Sequence, residues 1–150
     1  MIASINTEHL AGTSPSLLDE GMLIRPDRQQ WLVVVAEDDE ELRKTISVGL
    51  KRRGYRVLEI ADGESLGKFL DDPGEPVPDL VISDIQMPGK TGMEALAALR
   101  ESDWATPVIL MTAFGDSDTK AQATRLGATA TVDKPFRLSW LLDIVESFLP

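Results

Sequence analysis

Short runs of consecutive apolar residues recur along the chain from Trp31 onward. The first of them, Leu-Val-Val-Val-Ala at residues 32–36, is rich in β-branched valine. Uninterrupted apolar runs of this kind are typical of parallel strands that are buried on both faces. We therefore predict five strands, at residues 31–36, 55–60, 80–83, 107–111 and 128–132.

The segments between these strands carry apolar residues at a helical spacing instead. After Asp39, which is suited to cap a helix, Leu42, Ile46 and Leu50 recur until a stop near Gly54. Further helices are predicted around residues 66–70 and at residues 91–100, 117–126 and 138–148. Strands that alternate strictly with helices predict an α/β fold, a doubly wound five-stranded parallel sheet with five helices covering both faces.

Residues 1–30 follow a different pattern. Residues 13–16, Thr-Ser-Pro-Ser, are typical of a loop, and residues 17–24 are compatible with a turn of helix. We expect this N-terminal extension to be flexible or loosely docked. Residues 31–150 are long enough to form one domain with its own core.

Composition narrows the class of protein. The chain has no cysteine, which excludes disulfides and thiolate metal sites. Its net charge is −10 and its 15 basic residues are scattered, so we expect no binding to nucleic acid by this chain itself. No apolar run approaches the roughly 18 residues that span a bilayer, and residues 1–30 lack the pattern of a secretory signal. We expect a cytoplasmic protein without a membrane segment.

Chemically capable side chains gather where the predicted strands end. Asp84 closes the strand at residues 80–83, and the acidic run Glu37-Asp38-Asp39 follows the first strand. Thr112 ends the fourth strand, and Lys134 follows the fifth. Open α/β sheets bind their ligands at the carboxyl ends of the strands, so we expect these groups to share one site.

Three carboxylates in this set, those of Glu37, Asp38 and Asp84, predict a site for a hard cation. Mg²⁺ fits best, because it prefers oxygen ligands and is typically held by one or two carboxylates together with phosphate. We expect Asp38 and Asp84 to be direct ligands and Glu37 to act through water. The backbone carbonyl of Gln86 is expected to be a further ligand from the protein. Asp39 is better interpreted as a helix cap.

Two roles are open for Asp84 at this point: metal ligand only, or metal ligand and nucleophile. A carboxylate can attack phosphorus to form an aspartyl phosphate, with nearby positive charge stabilising the transition state. Lys134 supplies such a charge, and the Thr112 hydroxyl can donate to a phosphoryl oxygen. Ala113 is small and leaves the line of attack open, and Pro135 predicts a rigid turn with a cis bond.

Four segments resemble the receiver domains of two-component response regulators. They read VVAEDDEELR (residues 34–43), DLVISDIQMPG (79–89), VILMTA (108–113) and VDKPF (132–136), and the resemblance covers residues 31–150. It implies a flavodoxin-like receiver fold with strand order 2-1-3-4-5. It also implies that a sensor histidine kinase or a histidine phosphotransfer protein phosphorylates Asp84, and that the domain is not otherwise an enzyme, apart from slow hydrolysis of its own aspartyl phosphate.

The resemblance also implies an output. Receivers use the face formed by the last two helices and the last strand for dimerisation, or to contact an output protein or fused domain. This chain departs from the family at Thr131, where an aromatic residue is usual, so we expect a weaker switch on this face. The last predicted helix runs almost to Pro150, which leaves open a stand-alone receiver or a piece of a longer regulator.

Three other classes share some of these features. A phosphatase of the haloacid dehalogenase type would need a second aspartate at the position of Gln86. A flavodoxin-like cofactor binder would need a Ser/Thr/Gly-rich loop after the first strand, where this chain is acidic. A degenerate receiver, acting only as an interaction module, typically lacks some of the five site residues, all of which are present here: Glu37, Asp38, Asp84, Thr112 and Lys134.

Overall fold

The structure is a computed structural model that describes residues 16–19, 22–24, 26–113 and 116–150, with side chains for residues 28–113 and 116–150. A short antiparallel hairpin comes first, with strands β1 (Ser16–Asp19) and β2 (Met22–Ile24). A 3-10 helix (Pro26–Gln30) then leads into the main sheet. Residues 1–15, on which part of the expected extension falls, lie outside the described residues.

A parallel sheet of five strands forms the centre of the molecule. Its strands are β3 (Leu32–Ala36), β4 (Arg56–Ile60), β5 (Leu80–Asp84), β6 (Val108–Ala113) and β7 (Ala130–Lys134). They lie in the order β4-β3-β5-β6-β7. Counted within this sheet the order is 2-1-3-4-5, which confirms the predicted topology.

In the described part of the chain, four α-helices connect the strands of the sheet and a fifth follows β7. They are α1 (Glu40–Arg52), α2 (Gly63–Asp71), α3 (Gly92–Arg100), α4 (Ser117–Arg125) and α5 (Leu138–Phe148). The predicted cap at Asp39 is present, because its side chain accepts hydrogen bonds from the backbone N–H groups of Glu41 and Leu42. None of the helices in the described part of the chain is long and apolar enough to cross a bilayer.

The sheet separates two apolar cores, since alternate residues of a strand point to opposite faces. On one face, Val33 and Val35 pack in a cluster with residues of α1 and α5, including Ile46 and Leu141. On the other face, Val34 and Ala36 pack with residues of α2, α3 and α4: Leu66, Leu96 and Ala123. Both faces are therefore covered, and the carboxyl ends of the strands are left as the place where polar groups can gather.

Two expectations about element bounds are corrected by the structure. The expected helical turn over residues 17–24 is wrong for the residues described there: residues 17–19 and 22–24 lie in strands, and Leu17 pairs with Leu23. So short a segment gains little as an isolated helix, whereas a hairpin pairs its backbone groups across two strands. The last two strands also reach further than predicted, so that Thr112 lies inside β6 and Lys134 is the final residue of β7.

A cluster of charged residues at the amino end of the sheet ties the segment before β3 to the domain. Nη1 of the buried Arg28 donates to Glu146 Oε2 (2.9 Å) and to the carbonyl of Arg53 (3.1 Å), and its guanidinium lies 5.1 Å from the centre of the Tyr55 ring. Arg53 in turn pairs with Asp143 at 3.0 Å and with Glu146 at 3.1 Å. We call Arg28, Arg53, Asp143 and Glu146 the anchor cluster.

Candidate functional site

The carboxyl ends of β3, β5 and β7 bring the predicted site residues together. Ala36 at the end of β3 pairs with Ser83, next to Asp84, so Glu37 and Asp38 emerge beside the end of β5. Asp84 pairs with Met111 on β6, and Thr112 pairs with Asp133 on β7. Adjacent parallel strands end at the same sheet edge, so a ligand there can contact all of these elements.

Lys134 bridges two of the three carboxylates. Its Nζ donates to Glu37 Oε1 at 2.9 Å and to Asp84 Oδ2 at 3.0 Å. The side chain of Lys134 is 29% exposed, that of Asp84 10% and that of Glu37 1%. The predicted cis peptide bond is present between Lys134 and Pro135. The two hydrogen bonds to Glu37 and Asp84 show that the ammonium group of Lys134 is directed into the site.

The donor set at this edge suits a hard divalent cation. Glu37, Asp38 and Asp84 each place one carboxylate oxygen so that all three lie within 4.8 Å of one another. Lys134 offers a single positive charge to this set, so a formal charge of about −2 remains when all four groups are ionised. Oxygen ligands and excess negative charge are what Mg²⁺ requires. The residues present therefore fit this ion.

Burial changes the protonation of the bridged groups. Burial raises the pKa of Glu37 above its usual value, and the hydrogen bonds from Lys134 and from the Asp39 N–H offset this only in part. Burial also disfavours the charged form of Lys134, but the hydrogen bonds to Glu37 and Asp84 outweigh it and raise the pKa of Lys134. The ammonium is thus held charged between its carboxylate partners.

The loop after Asp84 is fixed by backbone contacts. The N–H of Gln86 donates to Asp84 Oδ1 at 3.4 Å, and the N–H of Ile85 donates to the carbonyl of Met111 at 3.0 Å. Gly92 begins α3 directly against β5: a β-carbon at this residue would lie 2.3 Å from the carbonyl oxygen of Asp84. Only glycine allows the helix to approach the strand so closely.

Comparison with known proteins agrees with this geometry. Residues 33–146 match the model of the response regulator receiver domain. The chain belongs to this family. It is 39% identical over 126 residues to the C4-dicarboxylate transport transcriptional regulatory protein DctD of Pseudomonas aeruginosa, covering 83% of this chain but only 26% of DctD. The chain therefore spans about a quarter of that relative.

Two further similarities cover nearly the whole of the other protein. Sporulation initiation phosphotransferase F of Bacillus subtilis is 30% identical over 118 residues, which cover 79% of this chain and 93% of that protein. The structure of the chemotaxis response regulator CheY4 of Vibrio cholerae is 30% identical and superposes with a TM-score of 0.69, covering 79% of this chain and 98% of CheY4. These matches confirm a two-component response-regulator receiver with the flavodoxin-like fold.

Sequence reasoning missed the role of Arg43 in this receiver domain. Arg43 lies in the first turns of α1, and its Nη1 donates to the carbonyl of Glu37 at 2.8 Å. Its Nε donates to Glu59 Oε1 on β4 at 3.3 Å. Arg43 lies within the first matching segment, four residues after the cap Asp39. That position, one helical turn from the acidic loop, is the signal that could have revealed the contact.

The structure also joins α4 to the end of β7. Lys120 Nζ donates to Asp133 Oδ2 at 3.1 Å, next to the site lysine. Thr131, which stands where the family usually has an aromatic residue, is half-buried on the same strand. Thr112, on the neighbouring strand, is buried one residue before the end of β6. The face formed by α4, β7 and α5 is therefore linked to the site through β7.

Proposed function

We propose that this receiver domain accepts a phosphoryl group on Asp84 from a phosphohistidine, carried by a sensor histidine kinase or a histidine phosphotransfer protein. The observation that supports this most directly is the convergence of three carboxylates and one lysine at the carboxyl edge of the sheet. If Asp84 were a metal ligand without a nucleophilic role, the Lys134 contact would serve charge balance alone, whereas a phosphoacceptor also uses it for the incoming phosphoryl group.

In the proposed reaction a carboxylate oxygen of Asp84 attacks phosphorus. The new oxygen–phosphorus bond forms as the phosphorus–nitrogen bond to the donor histidine breaks, and the electron pair returns to that nitrogen, which leaves as neutral imidazole once protonated. Lys134 is already 3.0 Å from Asp84, and it exchanges a carboxylate contact for a phosphoryl oxygen. The Thr112 hydroxyl donates to another phosphoryl oxygen.

Glu37, Asp38 and Asp84, with the backbone carbonyl of Gln86, would hold Mg²⁺ in this proposal. The ion would supply positive charge beside the phosphoryl oxygens, where negative charge builds up during transfer. Receiver domains are generally not classical enzymes. The reverse step that we expect is slow hydrolysis, in which water attacks phosphorus and the Asp84 carboxylate is released.

The consequence of phosphorylation is proposed to be a change on the face formed by α4, β7 and α5. Lys134 ends β7, and its neighbour Asp133 is paired with Lys120 on α4. A shift of the ammonium toward the phosphoryl group therefore acts on both elements. A downstream output protein or fused domain, or a second copy of the chain, would recognise this face. With Thr131 in place of an aromatic residue, we expect a smaller change than in most receivers.

The test is incubation with Mg²⁺ and acetyl phosphate, followed by intact-protein mass spectrometry. We expect wild-type protein to gain the mass of one phosphoryl group and Asp84→Asn to gain none, because the amide is not a nucleophile. Asp71→Asn, which alters an exposed acid at the end of α2, is the matched control and should react as wild type does.

Each result of this test has one reading. Modification of Asp84→Asn at the wild-type rate would show that the phosphoacceptor has been assigned wrongly. A wild-type protein that stays unmodified by acetyl phosphate and by phosphoramidate would favour the degenerate receiver instead.

A further inference from the structure

Arg43 connects the site loop to the edge strand of the sheet. Its guanidinium bonds the carbonyl of Glu37 through Nη1 (2.8 Å) and the carboxylate of Glu59 through Nε (3.3 Å). The Arg43 side chain is only 13% exposed. A planar guanidinium that makes two hydrogen bonds in fixed directions holds its partners more strictly than a single ammonium does.

The carbonyl that Arg43 holds belongs to the peptide unit between Glu37 and Asp38. The rest of Glu37 is also held: its N–H donates to the carbonyl of Ile60 at 3.0 Å, and its carboxylate accepts from Lys134 and from the Asp39 N–H. Because a peptide unit is planar, fixing its carbonyl also fixes the direction in which the chain enters Asp38. Asp38 itself is exposed.

We propose that Arg43 is a positioning residue for the Mg²⁺ site. It holds the Glu37–Asp38 peptide so that the exposed Asp38 carboxylate stays beside those of Glu37 and Asp84. This inference rests on the proposed function and assigns to it a residue outside the ligand set. Residues that orient metal ligands typically change metal affinity when they are replaced, although they do not touch the metal.

The sign of the effect separates positioning from simple electrostatics. Arg43 carries a positive charge and contacts the acidic loop at the carbonyl of Glu37, so its removal should strengthen the attraction for Mg²⁺ if charge alone mattered. Loss of positioning has the opposite result, because Asp38 then has to be ordered when the ion binds. Weaker Mg²⁺ binding after the loss of Arg43 is therefore the outcome that only positioning explains.

The experiment measures the Mg²⁺ dissociation constant by isothermal titration calorimetry. We expect Arg43→Met, which keeps the apolar stem and loses both donors, to weaken binding about tenfold. Arg43→Ala should do the same, and Arg43→Lys should recover part of the loss. In EDTA, hydrogen exchange at the amides of Asp38 and Asp39 should be faster in Arg43→Met than in wild type.

Lys44→Ala is the matched control, because Lys44 pairs with the same Glu59 oxygen as Arg43 (3.5 Å) but its side chain is 57% exposed. It should leave Mg²⁺ affinity unchanged. Thermal unfolding in EDTA will show whether each variant is folded. If Arg43→Ala does not fold, the Mg²⁺ affinity of Arg43→Met decides the question.

Unchanged or tighter binding in Arg43→Met would overturn the inference and leave the proposed function standing. A wild-type protein that binds no Mg²⁺ would overturn both together. The two failures are therefore distinguishable in one titration series.

Discussion

Two charged clusters lie at opposite ends of the strands of the same sheet. They differ in the balance of positive and negative side chains. The anchor cluster, at the amino ends of the strands, sets two guanidinium groups against two carboxylates. The site, at the carboxyl ends, sets one ammonium against three carboxylates. The first cluster is neutral in formal charge, whereas the second keeps an excess of negative charge. Charge balance therefore separates the structural cluster from the cluster whose excess negative charge suits a cation.

The largest effect is expected from removing a proposed Mg²⁺ ligand at the carboxyl ends of the strands. Asp38→Ala should weaken Mg²⁺ binding on the order of a hundredfold, since losing even an outer partner of a metal ligand costs about ten- to a hundredfold. The apo protein should be as stable as wild type or more so, because one of three neighbouring like charges is gone. Calorimetric titration and thermal unfolding in EDTA measure the two quantities. Unchanged Mg²⁺ affinity would rule this site out.

Breaking the balanced cluster should reduce stability instead. Arg28→Ala leaves the carbonyl of Arg53 without this donor and exposes part of the Tyr55 ring, and it should lower the free energy of unfolding by about 2 kcal/mol. Urea denaturation measures this value. Mg²⁺ affinity should not change, because the cluster lies at the other end of the strands.

The control for this variant is Arg52→Ala, at an exposed position in the last turn of α1. Its effect should stay within about 0.5 kcal/mol, as is usual for surface substitutions. If Arg28→Ala proves equally mild, the contacts of Arg28 do not anchor the N-terminal segment.

Removing the ammonium should turn the site into a purely acidic cluster. Lys134→Met in EDTA should lower the free energy of unfolding by about 1 kcal/mol, less than a fully buried pair would cost. The loss is limited because Glu37, whose pKa is already raised by burial, can take up a proton. Saturating Mg²⁺ should restore the stability, and denaturation with and without the ion checks this. The variant should still be phosphorylated, more slowly, and a loss that Mg²⁺ fails to reverse would count against a shared site.

The smallest effect concerns pH. The folded protein holds a proton on Glu37 more tightly than the unfolded chain does, so in EDTA this residue's contribution to stability falls as pH rises above the usual value of 4.5. Glu37→Gln should remove this part of the pH dependence. Thermal unfolding of both proteins between acid and neutral pH checks the sign, and parallel profiles would show that the pKa of Glu37 is not raised.

The fold was largely predictable because β3, β5 and β6 contain apolar runs and helices such as α1 and α5 have a helical apolar spacing. The carboxylates at the strand ends were predictable for the same reason, since topology alone places Asp84 beside the acidic run after β3. The helix cap at Asp39 has a local signature and is confirmed by its hydrogen bonds to backbone N–H groups.

Contacts that depend on tertiary packing were not predictable. Arg28 reaches Glu146, which is 118 residues away in sequence, and no local pattern marks such a pair. The same holds for Arg43 and Glu59, and for Lys120 and Asp133. The end of β7 was predicted two residues too early, at residue 132 instead of Lys134. Polar residues at the carboxyl end of a strand can continue its backbone hydrogen bonds after the apolar pattern has stopped.

The contact between Gly92 and the carbonyl of Asp84 has a mechanical consequence. Most helices are separated from their sheet by a layer of side chains that can repack, but here the backbones touch with no such layer. The contact between α3 and β5 therefore contains no side chains that could repack when either element moves. A displacement of the Asp84 backbone must either carry the first turn of α3 with it or be resisted by that turn, so α3 helps to set how far the proposed phosphoacceptor can move.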